Sequence, residues 1–114
     1  MHELSLCLSL VELIEQQALR HGASRVTGVW LEIGALAGVE EQALRFSYAS
    51  AVKQTVAEGS ELQLSVVPAQ AWCWDCCTSV SLTQHASPCP RCGGYKLRIE
   101  EGDSLRIKQL EIES

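Results

Sequence analysis

The chain has 114 residues, 46% of them apolar and 20% charged, and a formal net charge of −5. That describes one ordinary globular domain or two very small ones, not a disordered segment. The acidic balance excludes a general phosphate-binding surface, and no stretch is long and apolar enough to span a bilayer.

Glu3, Glu12 and Glu15 stand where a secretory signal would carry basic residues and then a clean apolar run. The protein is therefore expected in the cytoplasm. Leu6, Leu10, Leu13 and Ile14 recur at helical spacing, with Val11 and Ala18 widening the stripe, and His21-Gly22 supplies a stop. This spacing predicts a helix from about Ser5 to Arg20. In "RVTGVWLEIG", Val29, Leu31 and Ile33 alternate with Trp30 and Glu32, which predicts a strand ending at Gly34. "VEEQALRFSYASAV" returns to helical spacing through Ala43, Leu44, Tyr48, Ala51 and Val52, and Glu40 and Glu41 suit the positive end of its dipole. "ELQLSVV" alternates Leu62, Leu64 and Val66 as a second strand, closed by Pro68.

Composition shifts after Pro68. The next stretch holds five of the six cysteines, between positions 73 and 92, and only short apolar pairs, Val80 with Leu82 and Leu97 with Ile99. These pairs read as small hairpin strands, too few to build a core unaided. "SLRIKQLEIES" is strand-like again, with its phase slipping at Lys108-Gln109 as at a bulge. Two strands alone make a poor sheet, so the last strand is expected to return and complete it. The predicted fold is α+β: two helices packed on a small mixed three-stranded sheet completed by the C-terminal strand. Residues 1–68 with 104–114 form that domain, and residues 69–103 form an inserted zinc-ribbon-like module.

Cys73 and Cys76 make one C-x2-C knuckle and Cys89 and Cys92 a second, with twelve residues between the two. Four thiolates at such spacing close a tetrahedron around Zn²⁺, which marks a structural site rather than a catalytic one. Disulfides are disfavoured in a reducing compartment. Cys77 is an extra thiol that could replace Cys76 in a C-x3-C arrangement, though the x2 spacing makes the tighter knuckle. His85 lies in the loop between the knuckles and reads as a solvated side chain, and Cys7 reads as a small buried one. Trp72 and Trp74, either side of Cys73, are expected to cover the metal or to pack the module onto the helical part, with an exposed partner surface as the alternative.

The first residues, "MHE", offer a different donor set. The amine of Met1, the backbone nitrogens of His2 and Glu3, and the imidazole of His2 lie within a few bonds of one another. Together they can present four nitrogens in a plane, the geometry of Ni(II) or Cu(II).

"MHELSL", "LEIGALAGVEEQALRFSY", "CWDC" with "CPRCGG", and "GDSLRIKQLEIE" occur in that order along nearly the whole chain. In these motifs the sequence resembles the HypA/HybF family of nickel metallochaperones for [NiFe]-hydrogenase maturation. The tryptophan-rich "AWCWDC" looks more like its HybF branch. The resemblance implies that His2 is the nickel ligand, with the Met1 amine and the Glu3 region completing the site. It implies that Cys73, Cys76, Cys89 and Cys92 hold structural zinc. It also implies work beside a nickel-binding GTPase and delivery to the hydrogenase large-subunit precursor, with no catalysis by the chain itself.

Two other functions compete. A zinc-ribbon nucleic-acid or protein interaction module would use residues 69–103, but there Arg91, Lys96 and Arg98 stand against Asp75, Glu100, Glu101 and Asp103, a poor phosphate surface. A thiol oxidoreductase would use Cys73 and Cys76, but "WCWDCCTSVSL" reads as a β-turn rather than a helix start that would lower a thiol pKa. No Gly-rich phosphate loop is present.

Overall fold

A computed structural model describes residues 2–84 and 87–114, with the backbone alone at His2. The elements in chain order are α1 (His2–Arg20), β1 (Arg25–Gly34), α2 (Glu41–Ala51), β2 (Glu61–Val67), β3 (Ala69–Cys73), β4 (Thr78–Leu82), β5 (Leu97–Glu101) and β6 (Leu105–Glu113). They form two three-stranded sheets, ordered β2-β1-β6 and β4-β3-β5. Contacts divide the chain into two compact units: Met1–Leu31 with Val39–Leu64 and Ile107–Ser114, and Glu32–Gly38 with Ser65–Arg106.

In the first unit α1 packs against α2. The buried face of α1 is Cys7, Leu10, Val11, Ile14 and Ala18. Leu13 belongs to the predicted stripe but is exposed, because at about 100° per residue it falls at the stripe's far flank. The helix ends in a Schellman motif: Ala23 N–H reaches Ala18 O at 2.8 Å and Gly22 N–H reaches Leu19 O at 3.2 Å. Gly22 takes the required left-handed φ of +62°. Its start differs from expectation. The helix begins at His2, three residues before Ser5.

Helix α2 buries Leu44 and Tyr48, and Tyr48 OH pairs with Ser60 Oγ at 2.6 Å. Its N-cap is Glu40, whose Oε1 accepts from Gln42 N–H at 3.2 Å and Oε2 from Ala43 N–H at 2.6 Å. Val26, Val29 and Leu31 of β1, Leu62 of β2, and Val52 and Ala57 after α2 are buried as well.

The sheet around β1 is mixed. Ser24 N–H bonds Glu113 O and Gly34 N–H bonds Ser104 O, both at 2.8 Å, so β6 runs antiparallel to β1. Val26 N–H bonds Val56 O at 2.9 Å and Ala35 N–H bonds Val67 O at 2.8 Å, so β2 runs parallel to it. A β1-α2-β2 crossover delivers that parallel partner, as such pairs require. Along β6, Leu105, Ile107 and Leu110 are half-buried while Lys108 and Gln109 are both exposed, which is the expected phase slip.

The second unit contains a strand that the sequence pattern had not marked. β3 is the centre of its sheet, antiparallel to β4 (Cys73↔Thr78 to Ala69↔Leu82) and to β5 (Cys73↔Leu97), with an irregularity at Gln70/Ala71. Its core is Leu36, Ala69, Ala71, Cys73, Val80, Leu82 and Cys89, with Cys76 and Leu97 packed against it. Leu36 enters from the loop after β1, and its N–H bonds Gly102 O at 2.9 Å. Arg106 donates to Glu32 Oε2 from Nη2 at 3.0 Å and from Nε at 3.3 Å. Among the described residues no helix is long and apolar enough to cross a membrane.

Candidate metal centre

β3 delivers Cys73 at its last residue, and the chain then turns tightly into β4. In that turn Cys76 N–H points at Cys73 Sγ (3.4 Å) and Cys77 N–H bonds Cys73 O (2.8 Å). The second knuckle repeats the pattern. Arg91 N–H points at Cys89 Sγ (3.4 Å) and Gly93 N–H bonds Cys89 O (2.8 Å). Gly94 N–H also reaches Cys92 Sγ at 3.4 Å. The residue after each knuckle's second cysteine is left-handed: Gly93 at φ +74° and Cys77 at φ +53°. The two knuckles thus share the backbone bond back to the first cysteine and the left-handed residue that follows the second.

The two turns bring Cys73, Cys76, Cys89 and Cys92 together, with all four Sγ atoms within 4.8 Å of one another. Cys73 Sγ lies 3.7 Å from Cys92 Sγ, and Cys76 Sγ lies 3.8 Å from Cys89 Sγ. A tetrahedron with Zn–S bonds of about 2.3 Å has an S···S edge of about 3.8 Å. The donor set, four soft thiolates with no open position, fits a structural Zn²⁺ site. Cys77 is not in the cluster. It is exposed, and its Sγ is turned to Trp74 O at 3.5 Å, so Cys76 is the first knuckle's second member of the cluster. His85 lies outside the described residues.

The thiols resist ionising together, and a cation relieves that. At Cys76 the side-chain hydrogen bond to Cys92, then burial and bonds to Cys73 and Cys89, push the pKa up to about 12. At Cys89 burial acts upward. The backbone N–H groups of Cys92 and Arg91, with the Cys73 and Cys92 side chains, outweigh it and bring the pKa down to about 7. Thiolate is the metal-binding form, so metal binding here is coupled to proton release.

Trp74 is 57% exposed and meets half-buried Trp72 edge-on, with ring centroids 6.2 Å apart. The exposed Lys96–Asp75 pair beside it, at 4.0 Å, contributes little. No helix starts at Cys73, so the dipole that would activate a redox thiol is missing there.

Of the "MHE" donors, Met1 and the His2 side chain lie outside the described residues. The His2 backbone opens α1, and the first turn of a helix leaves its N–H groups without intrahelical partners. Glu3 is half-buried, and its Oε2 accepts from Glu40 N–H at 3.4 Å. Sequence reasoning missed that partnership, because its two residues are 37 positions apart and no local pattern links them.

The fold and the cysteine cluster together define a small α+β metal-binding protein with a tetrathiolate module. Residues 1–112 match the family described as "Hydrogenase/urease nickel incorporation, metallochaperone, hypA". Curated relatives include hydrogenase maturation factor HybF of Salmonella typhimurium, 58% identical over 113 residues, covering 99% of this chain and 100% of the relative. HybF of Escherichia coli K12 is 55% identical over the same coverage. Among solved structures, the solution structure of the Ni metallochaperone HypA from Helicobacter pylori superposes with a TM-score of 0.74 at 19% identity, covering 98% of this chain and 97% of that one. That likeness speaks for the fold. The chain belongs to the HypA family.

Proposed function

We propose that this protein is a nickel metallochaperone that binds Ni(II) at its N-terminus and delivers it during maturation of [NiFe]-hydrogenase, with a structural four-cysteine zinc site. The observation that carries this reading is membership of a nickel-incorporation family along essentially the whole chain, the first residue included. Met1, His2 and Glu3 hold the cargo through the terminal amine, the imidazole and the first backbone nitrogens. This nickel function resides in residues 1–68 with 104–114, and residues 69–103 hold the zinc. The chain works in the cytoplasm and performs no catalysis. It passes nickel by short-range ligand exchange with a nickel-binding GTPase and the hydrogenase large-subunit precursor.

The test is a single added Gly before Met1. It turns the Met1 amine into an amide and displaces the new amine, while every side chain survives. Nickel titration of the native and extended proteins, each checked by mass for an unblocked start, should show a sharp loss on extension with zinc content and helicity unchanged. Equal affinity would refute the terminal-amine chelate. His2→Ala should likewise leave the fold intact and block hydrogenase maturation at low nickel.

A further inference from the structure

In a capping box the third residue of the helix is Glu or Gln, and its side chain returns to accept the N-cap N–H. Helix α2 has half of such a box. Glu40 caps it by accepting from Gln42 and Ala43 N–H. The third helical position is Ala43, which has no acceptor to return. The N–H of Glu40 is instead taken by Glu3 Oε2, from the first turn of α1. The box is completed in trans, by a carboxylate from another helix.

We propose that Glu3 is a positioning residue: its carboxylate closes the α2 cap and so holds the first turn of α1, where the cargo nickel is bound. This deepens the terminal-chelate reading above and rests on it. A helix's first turn and a chain's first residues are where fraying concentrates. Three backbone units chelate a metal well only if they start from a restricted set of conformations, since ordering each residue is costly. A tether one residue beyond His2 restricts them. The carboxylate is suited to this work, because a negative charge is favoured at the positive pole of α2 and its bond to an N–H is charge-assisted. The side chain of Glu3 thus serves the scaffold, and its backbone nitrogen is left for the metal.

Three single variants of the zinc-loaded full chain test this by Ni(II) titration. Glu3→Gln keeps an oxygen that can accept from Glu40 N–H, so nickel affinity should stay within about threefold of the native protein. Glu3→Ala removes the acceptor and should weaken nickel about tenfold, the equivalent of about 1.4 kcal/mol. Ala43→Gln gives α2 an acceptor of its own, which competes with Glu3 for the Glu40 N–H. It should weaken nickel several-fold although it touches no donor and leaves thermal stability equal or higher. The Glu40 amide resonance should move in Glu3→Ala and in Ala43→Gln, a signature that general loosening does not produce. Equal losses in Glu3→Gln and Glu3→Ala would overturn the proposal and make the carboxylate a metal donor, as would unchanged binding in Glu3→Ala or in Ala43→Gln. The chelate reading has its own arm, since only equal affinity of the native and Gly-extended proteins defeats it.

Discussion

Gly34 and Gly102 cross backbone to backbone, and a Cβ on Gly34 would collide with the carbonyl of Gly102. The crossing is pinned on both sides, by Gly34 N–H to Ser104 O and by Leu36 N–H to Gly102 O. Neither glycine has a flexible side chain opposite it that could yield. Gly102 also needs its left-handed φ of +101°, and its own Cβ would meet the backbone of Ala69.

Gly34→Ala should therefore cost about 3 kcal/mol or more, at the upper end of what overpacking costs. Urea unfolding would measure it. A loss below about 1 kcal/mol would show that the two strands slide apart easily. Glu32→Gln, two residues earlier, removes an ion pair with Arg106 whose arginine is 74% exposed and whose glutamate is only 15% exposed, and should cost about 1 kcal/mol.

Cys77 occupies in the first knuckle the left-handed position that Gly93 occupies in the second. Outside glycine that conformation costs about 1 kcal/mol. Cys77→Gly should stabilise the cysteine module by about that amount and keep one zinc per chain, because the Cys77 sulfur is not a donor. Zinc stoichiometry and the rate of release to a chelator would check it. A variant that loses zinc would place Cys77 among the ligands.

Cys7 is fully buried on α1 and its thiol donates to Leu44 O at 3.5 Å. Burial first, then the charge of Glu3, push its pKa from the ordinary thiol value of 9.0 up to about 11. The unfolded chain therefore releases this proton earlier than the folded one. The thiol's contribution is fully present below pH 9 and is lost as pH rises from 9 to 11, at up to about 1.4 kcal/mol per pH unit. Cys7→Ala should lower stability at pH 7 and flatten the decline between pH 9 and 11. Parallel pH profiles for the two proteins would show that the thiol does not titrate in that window.

The sequence was most readable where large apolar side chains keep a period. β1, β2 and α2 lie close to where alternation and helical spacing put them. β3 escaped because its buried positions are Ala69, Ala71 and Cys73, an alternation of small residues that carries little hydropathy signal. The start of α1 escaped for another reason: the carboxylate that ties down its first turn finds its partner 37 residues away. The four clustered cysteines were readable because two similar short turns leave their mark as spacing. Cys77 stayed ambiguous in the sequence, since only the direction of its side chain, toward Trp74 O, separates it from Cys76.

The cysteine module has little apolar material of its own to hold it together. Its buried core is two alanines, two cysteines, Val80, Leu82 and Leu36, and Leu36 is the one member from outside the segment 69–103. So small a core leaves much of the folding free energy to the metal. Two variants separate packing from ligation. Cys92→Ala removes a donor and should release the zinc and loosen residues 69–103, while α1 keeps its helical signal. Leu36→Ala removes no donor. It should cost about 2 kcal/mol or more of packing, and because metal affinity here contains the folding term, apparent zinc affinity should fall by about thirtyfold or more. Competition with a chromogenic chelator measures both. If Leu36→Ala holds zinc as tightly as the native chain, the module folds on its metal alone and Leu36 is a passive neighbour.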